Sequence, residues 1–476
     1  MKSDCRTCRL GRCGGVVSRR NFLVGAGAAA ALAASEMGLF EYASSVMADE
    51  ARQPAKAAKP VVEVVYVRPP NPKDVSWPGG ACDIPAQQAL FTKTLCAAAE
   101  KLDVDLRVQD EPIHTDEQVA AFARRIEKSP PDGLIIGAME LFGWAPVKKL
   151  VENRGGVPTI IYSHLSGFTA NLQLGRDESG VLMAATQKTD WLETGVRMLA
   201  ALRRLKKARI LITKGRQSVH ELGTTIVPCK ADWQAEIAKA RDTEESRAIA
   251  AFYEKNAKRI VEPARADIVE AARQYGVLRR LMAEQDCGGI TLAGCLTTKP
   301  PCLAVSKLRD EGVVATCEGC THGALGEMVS ALLLNRPAFI QDPSPNTIDN
   351  TLVGAHCTSA TKLKGPDVDY RAPFVLRTYH TRQGVSMQVL WPEGEPVTVM
   401  QFGWPKKTLM IGTGKVVSNI DQPPSGCCRT AVEITVDGCD DTRDVKGFHQ
   451  LFILGNHERT LRQFCKLAGI EASRIF

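Results

Sequence analysis

The residues of this chain most able to do chemistry lie late in the sequence, in short polar clusters that follow or precede apolar runs. Cys317-Glu318-Gly319-Cys320 follows Val313-Val314-Ala315, Asp342 closes Phe339-Ile340-Gln341, and His356 closes Gly354-Ala355. Gly447-Phe448-His449-Gln450 opens a further apolar run that ends in Gly455-Asn456-His457. A short apolar run ending in a polar side chain reads as a buried strand that delivers the side chain to its end, where open α/β sheets place ligand groups. Two carboxylates, Glu318 and Asp342, together with the imidazoles of His449 and His356, make an oxygen-and-nitrogen donor set suited to Mn²⁺, Fe²⁺, Co²⁺ or Zn²⁺. His457 is a rival to His449. Each of these residues, taken alone, also fits a buried and hydrogen-bonded Asp or His.

The elements that must position them are read from periodicity. Strands are expected over 61–67, 104–108, 133–136 and 159–162, alternating with helices over 87–102, 117–126 and 148–151, which is the pattern of a parallel α/β sheet. A second α/β stretch follows: a helix over 180–205, a strand over 208–212, a charged and mostly helical region over 243–272, strands over 290–292 and 312–315, and a helix over 324–334. From about residue 345 the character changes to short strands (375–379, 385–389, 397–401, 407–411 and 431–436), which reads as an antiparallel barrel or sandwich. A last helix spans Glu458–Ala468. The domain reading is therefore a first α/β domain over 61–175, a second over 176–344, and a β-barrel domain with a terminal helix over 345–476.

The first fifty residues read as an address. Ser18-Arg19-Arg20-Asn21-Phe22-Leu23, a charge-free Ala/Gly-rich run over 24–34 and the small residues of Val46-Met47-Ala48 resemble a twin-arginine signal cleaved after Ala48. Residues 49–60 form a linker. This implies passage through the twin-arginine export machinery, a periplasmic or other extracytoplasmic location, and no stable membrane anchor. The chain has 476 residues, 44% of them hydrophobic and 24% charged, which excludes a disordered or fibrous protein. Loss of residues 1–48 removes six Lys/Arg and three Asp/Glu and lowers the net charge from +7 to +4, too little for a nucleic-acid partner. Of 16 cysteines, Cys5, Cys8 and Cys13 leave with the leader, and most of the rest, including Cys302, Cys317 and Cys357, read as small buried residues. His114, His164, His220, His322 and His380 read as surface or core residues.

The order of segments resembles the L-fucose isomerase and L-arabinose isomerase superfamily, in particular its looser fucose-isomerase-like members. The resemblance runs through most of 61–476 and is strongest over 287–342 and 447–471. It rests on Gly289-Ile290-Thr291, Pro301-Cys302-Leu303-Ala304, Glu311-Gly312, Cys317-Glu318-Gly319, Asp342, His449, Leu461-Arg462-Gln463-Phe464 and Gly469-Ile470-Glu471. It implies two Rossmann-like α/β domains followed by a β-barrel, in a homo-oligomer that interconverts an aldose and a ketose through an ene-diolate. A divalent metal, often Mn²⁺, would be held by Glu318, Asp342 and His449, with His356 as a further ligand. Glu318 and Asp342 would also be the acid/base pair. Arg68, in Val67-Arg68-Pro69-Pro70, matches a substrate-contacting arginine, and Trp77 is a candidate aromatic contact to the small-molecule sugar. Cys320 stands where many relatives carry an acid. The alternative is a sugar-binding protein of the same fold that has lost catalysis. An ordinary two-lobed binding protein does not account for the roughly 130 residues after Asp342.

Overall fold

The computed structural model describes residues 58–72, 75–77, 79, 81–164, 167–293, 300–379, 382–403, 408–421 and 428–476. The expected twin-arginine leader and most of the linker lie outside the described residues. The chain divides into two compact units, one up to Arg203 and one from Arg204 onward.

The first unit is built on five parallel strands, β1 (Val61–Val67), β2 (Asp105–Val108), β3 (Gly133–Ala138), β4 (Thr159–Ser163) and β5 (Val181–Ala185), in the order β2-β1-β3-β4-β5. Helices α1 (Ile84–Lys101), α2 (Asp116–Lys128) and α3 (Ala145–Glu152) connect the first four. β1 is almost continuously apolar because a parallel sheet is covered on both faces. Its one acid, Glu63, is buried and paired with Arg125 at 2.6 Å. α2 begins where its sequence says it must: Thr115 and Gln118 form a reciprocal capping box. The single helix expected over 180–205 is corrected. Its first part is β5, and helix α4 starts only at Trp191 and runs to Lys207. Val181-Leu182-Met183-Ala184-Ala185 is a short apolar run that periodicity cannot classify, and pairing along β4 makes it a strand.

The second unit opens with another mainly parallel sheet. Its strands are β6 (Arg209–Ile212), β7 (Ser218–Val219) and β8 (Thr225–Pro228), followed by α5 (Trp233–Ala238), α6 (Glu244–Asn256), β9 (Arg259–Ile260), α7 (Arg265–Glu284), β10 (Gly289–Leu292), α8 (Cys302–Asp310), β11 (Val314–Cys317) and α9 (Thr321–Val329). The sheet order is β11-β10-β6-β8-β7, with β7 antiparallel to β8. The charged helical region expected over 243–272 is two helices, α6 and α7, parted by β9 and Pro263. α9 passes into a π turn over Ser330–Leu334 and stops at Asn335, whose φ of 52° is left-handed.

The remainder closes on itself. β12 (Phe339–Asn346) and β13 (Thr351–His356) are followed by the hairpin β14 (Phe374–Arg377) and β15 (Ser386–Val389), which leaves to pair with β9. β16 (Pro396–Phe402), β17 (Thr408–Asn419), β18 (Thr430–Ile434) and β19 (Gln450–Leu454) return. Pairing runs β12-β13-β18-β17-β16-β19 and back to β12, antiparallel throughout, so six strands form a closed barrel with no free edge. Helix α10 (Glu458–Ala468) and β20 (Glu471–Arg474) follow, β20 lying parallel to β17. Parallel α/β sheets followed by an antiparallel barrel and a terminal helix are the classes of element read from the sequence. No helix among the described residues is long and apolar enough to cross a membrane.

Candidate metal centre

Glu318 is delivered by β11, the edge strand of the second sheet. It and Gly319 take consecutive left-handed conformations, with φ of 63° and 66°, before Cys320 caps α9 by accepting the N–H of Gly323 at 3.2 Å. Glycine accepts that geometry without cost, but a glutamate does not, and strain of this kind concentrates at functional sites. His449 is likewise left-handed, at φ 58°.

Register brings the other three side chains together. β12 changes partner midway: Phe339, Ile340 and Gln341 pair with Phe452, Leu451 and Gln450 of β19, whereas Asp342 pairs with Ala355 of β13. Asp342 therefore sits beside His356, the residue after Ala355, and beside His449, the residue before Gln450. Two glycines then let α9 approach the barrel. A Cβ at Gly323 would lie 2.6 Å from Ile340 Cδ1, and one at Gly326 would lie 2.3 Å from Leu451 Cδ1. This close approach carries Glu318 up to the barrel residues.

The resulting group is tight. His449 Nε2 lies 2.9 Å from Glu318 Oε2 and 3.4 Å from Asp342 Oδ1, and His356 Nε2 lies 3.6 Å from Glu318 Oε1. One donor atom from each of Glu318, Asp342, His356 and His449 lies within 4.8 Å of all the others. Asp342 Oδ1 is buried and accepts no hydrogen bond.

The electrostatics are asymmetric. The nearby His356 imidazole, and then His449 through its 2.9 Å hydrogen bond, hold the Glu318 carboxyl well below the usual carboxylate range. Burial pushes Asp342 up, against the pull of the same two imidazoles. Burial also works against the charged form of His449, but contacts with Cys320 and Glu318 outweigh it and lift the ring to about 9. His356 is buried, which works against its charged form, and it is still raised because Glu318, Cys357 and Asp342 together outweigh desolvation. Without a cation, protonated imidazoles neutralise the carboxylates. With one, two carboxylates, two imidazoles and an uncommitted carboxylate oxygen fit a divalent first-row metal.

A cavity of about 200 Å³ opens on Glu318, Asp342 and His356. The rest of its lining is mostly carbon and sulfur, including Leu292, Val305, Cys302 and Cys357, with the hydroxyl-bearing Thr358 and Tyr379. Thr358 on the rim is held from behind by Arg309, which bonds its Oγ1 at 3.0 Å and its carbonyl, and pairs with Glu327 through bonds of 2.9 and 3.1 Å. The Arg309 and Glu327 side chains are 0% and 2% exposed. Around the centre, Cys302, Cys317, Cys320 and Cys357 are free thiols. Cys317 Sγ lies 3.4 Å from His356 Nδ1, whereas Cys287 lies at the opposite, N-terminal end of β10, against the Gln285 carbonyl.

The structure thus brings Glu318, Asp342, His356 and His449 together and leaves out His457, whose Nε2 lies 2.9 Å from the Leu454 carbonyl. Arg68 and Trp77 belong to the first unit. There Arg68 bonds Gln88 at 2.7 Å and Trp77 packs edge-on against Phe168. Trp144 is part of that unit's core. A second group, His220, Glu221 and His322, places one donor atom of each within 4.8 Å of the other two. Reading the histidines singly missed it, because no motif links a hairpin turn to a distant helix start.

No family model matches the chain, and no curated protein does. Among solved structures, a Mycobacterium smegmatis protein in complex with β-D-fucofuranose is similar at 12% identity over 53% of this chain and 77% of its own, with a TM-score of 0.18. A LacI-type transcription regulator from Bifidobacterium animalis subsp. lactis matches at 10% identity over 54% and 78%, with a TM-score of 0.17. A sugar-binding protein of a Bacillus halodurans sugar ABC transporter matches at 14% over 59% and 90%, also at 0.17. TM-scores this low carry no weight for fold or function.

Proposed function

We propose that this chain is an exported, metal-dependent aldose–ketose isomerase whose centre is Glu318, Asp342, His356 and His449. The observation that carries the reading is the convergence of two carboxylates and two imidazoles, of which Glu318, Asp342 and His356 line a cavity of about 200 Å³ and His449 lies behind them against Glu318. These four residues would hold a divalent cation, Mn²⁺ in this proposal. When bound, it supplies a Lewis acid that polarises a carbonyl and steadies the negative charge formed on deprotonating the neighbouring carbon. Glu318, stabilised as the anion by two imidazoles, is the firmly ionised carboxylate. Asp342, desolvated and with an Oδ1 that accepts no hydrogen bond, is the stronger base and takes the C–H proton, while Glu318 serves the neighbouring position. Export by the twin-arginine route and assembly as a homo-oligomer belong to the same proposal.

The test is metal content by mass spectrometry, followed by a panel of aldoses scored for ketose. Metal-dependent turnover that disappears in Glu318→Gln is expected. Retained turnover in metal-replete Glu318→Gln would sink the assignment. Tight sugar binding with no turnover would select the non-catalytic sugar-binding reading instead.

A further inference from the structure

The second group is built from two rigid elements. His220 and Glu221 occupy the turn between β7 and β8, closed by His220 N–H to the Thr224 carbonyl and Gly223 N–H to the His220 carbonyl, both at 2.8 Å. Gly223 makes this turn possible with φ 85°. His322 is in the first turn of α9, whose cap also sets the position of Glu318. The two imidazole rings meet edge to face with centroids 4.7 Å apart, and the Glu221 carboxylate lies against His220 Nδ1. Phe402, at the end of β16, packs on His220 at 6.4 Å. The His220 and Glu221 side chains are only 6% and 15% exposed.

We propose that His220, Glu221 and His322 form a second cation site, selective for an imidazole-preferring divalent ion such as Zn²⁺. One donor atom from each lies within 4.8 Å of the other two. Metal–ligand bonds of about 2.0–2.2 Å put tetrahedral donors roughly 3.3–3.6 Å apart, so small side-chain rotations close the site. Two histidines and a glutamate are a donor set that zinc uses while keeping its fourth position for water or a ligand. Burial favours the uncharged form of both rings, which has a lone pair to give. The Glu318 centre has twice the carboxylates and takes a harder ion such as Mn²⁺, so metal preference separates the two sites. The second site stands whether or not the first one isomerises sugars.

The test is equilibrium dialysis of the metal-stripped full chain against Zn²⁺ and against Mn²⁺, with Co²⁺ absorption as a probe of coordination. The wild type is expected to take up about two Zn²⁺ per chain and about one Mn²⁺. Glu221→Gln, nearly isosteric, and His322→Asn should each lose about one Zn²⁺ and the matching Co²⁺ bands while keeping Mn²⁺. Combining Glu318→Gln with His449→Asn should leave the Zn²⁺ bound at His220, Glu221 and His322. Circular dichroism identifies any variant that fails to fold, and Glu221→Gln then decides. Uptake of Zn²⁺ unchanged in folded Glu221→Gln, or abolished altogether by the Glu318/His449 pair, would overturn the proposal.

Discussion

Loading the Glu318 centre must displace a proton, because His449 has two incompatible partners for one nitrogen. Its Nε2 faces Glu318 at 2.9 Å and Asp342 at 3.4 Å, and contacts with Cys320, Glu318 and Asp342 lift the ring to about 9. At pH 7 a group with that value is uncharged in roughly one molecule in a hundred. A cation that needs the neutral ring therefore binds up to about a hundredfold more weakly at pH 7 than above pH 9, and solvent screening of the partly accessible ring brings this to about tenfold or more. His356, also raised, acts in the same direction. Isothermal titration with Mn²⁺ at pH 7, 8 and 9, in buffers of different ionisation enthalpy, reads both affinity and proton release. Affinity that is flat over this range, or a heat independent of buffer, would refute the reasoning. The same shifts predict the stability of the metal-free protein. The raised His449 stabilises the fold fully below pH 6.5, and this is lost as pH rises towards about 9. The lowered Glu318 stabilises it above pH 4.5, and this is lost as pH falls further. These two groups place the highest melting temperature between about pH 4.5 and 6.5, and bound metal should move it upwards.

Two further expectations concern how the centre is held. Glu327→Gln strands the Arg309 guanidinium in the core and should cost about 3–5 kcal/mol, a fall of roughly 10 °C in Tm, whereas replacing both residues with leucine should recover most of it; a loss below about 1 kcal/mol would contradict a buried pair. Gly326→Val drives a side chain into Leu451 and should cost about 1–3 kcal/mol and weaken metal binding at Glu318, while Gly288→Ala, with no atom within 4 Å of the added carbon, should leave metal affinity unchanged.

Much of the fold was legible because it is locally encoded. The β-branched run of β1 admits no other reading, and α10 repeats buried residues at Leu461, Phe464, Cys465 and Leu467 and stops at the left-handed Gly469. β5 was misread because five apolar residues fit a helix as well as a strand until a neighbour pairs with them. β12 was legible only to Asp342. Its second half contains Pro343 and Pro345 and is a strand because β13 closes onto it. At the centre, sequence alone determined the residue types, their order and their placement after apolar runs, and so the class of ion they suit. The choice of His449 over His457, the placing of a buried Asp342 oxygen with no hydrogen bond at the centre, and the meeting of His220 with His322 were decided by tertiary structure. The physical reason is range. Helix periodicity and strand composition act between near neighbours, whereas strand register and the approach of α9 through Gly323 and Gly326 depend on barrel closure between segments far apart in the chain.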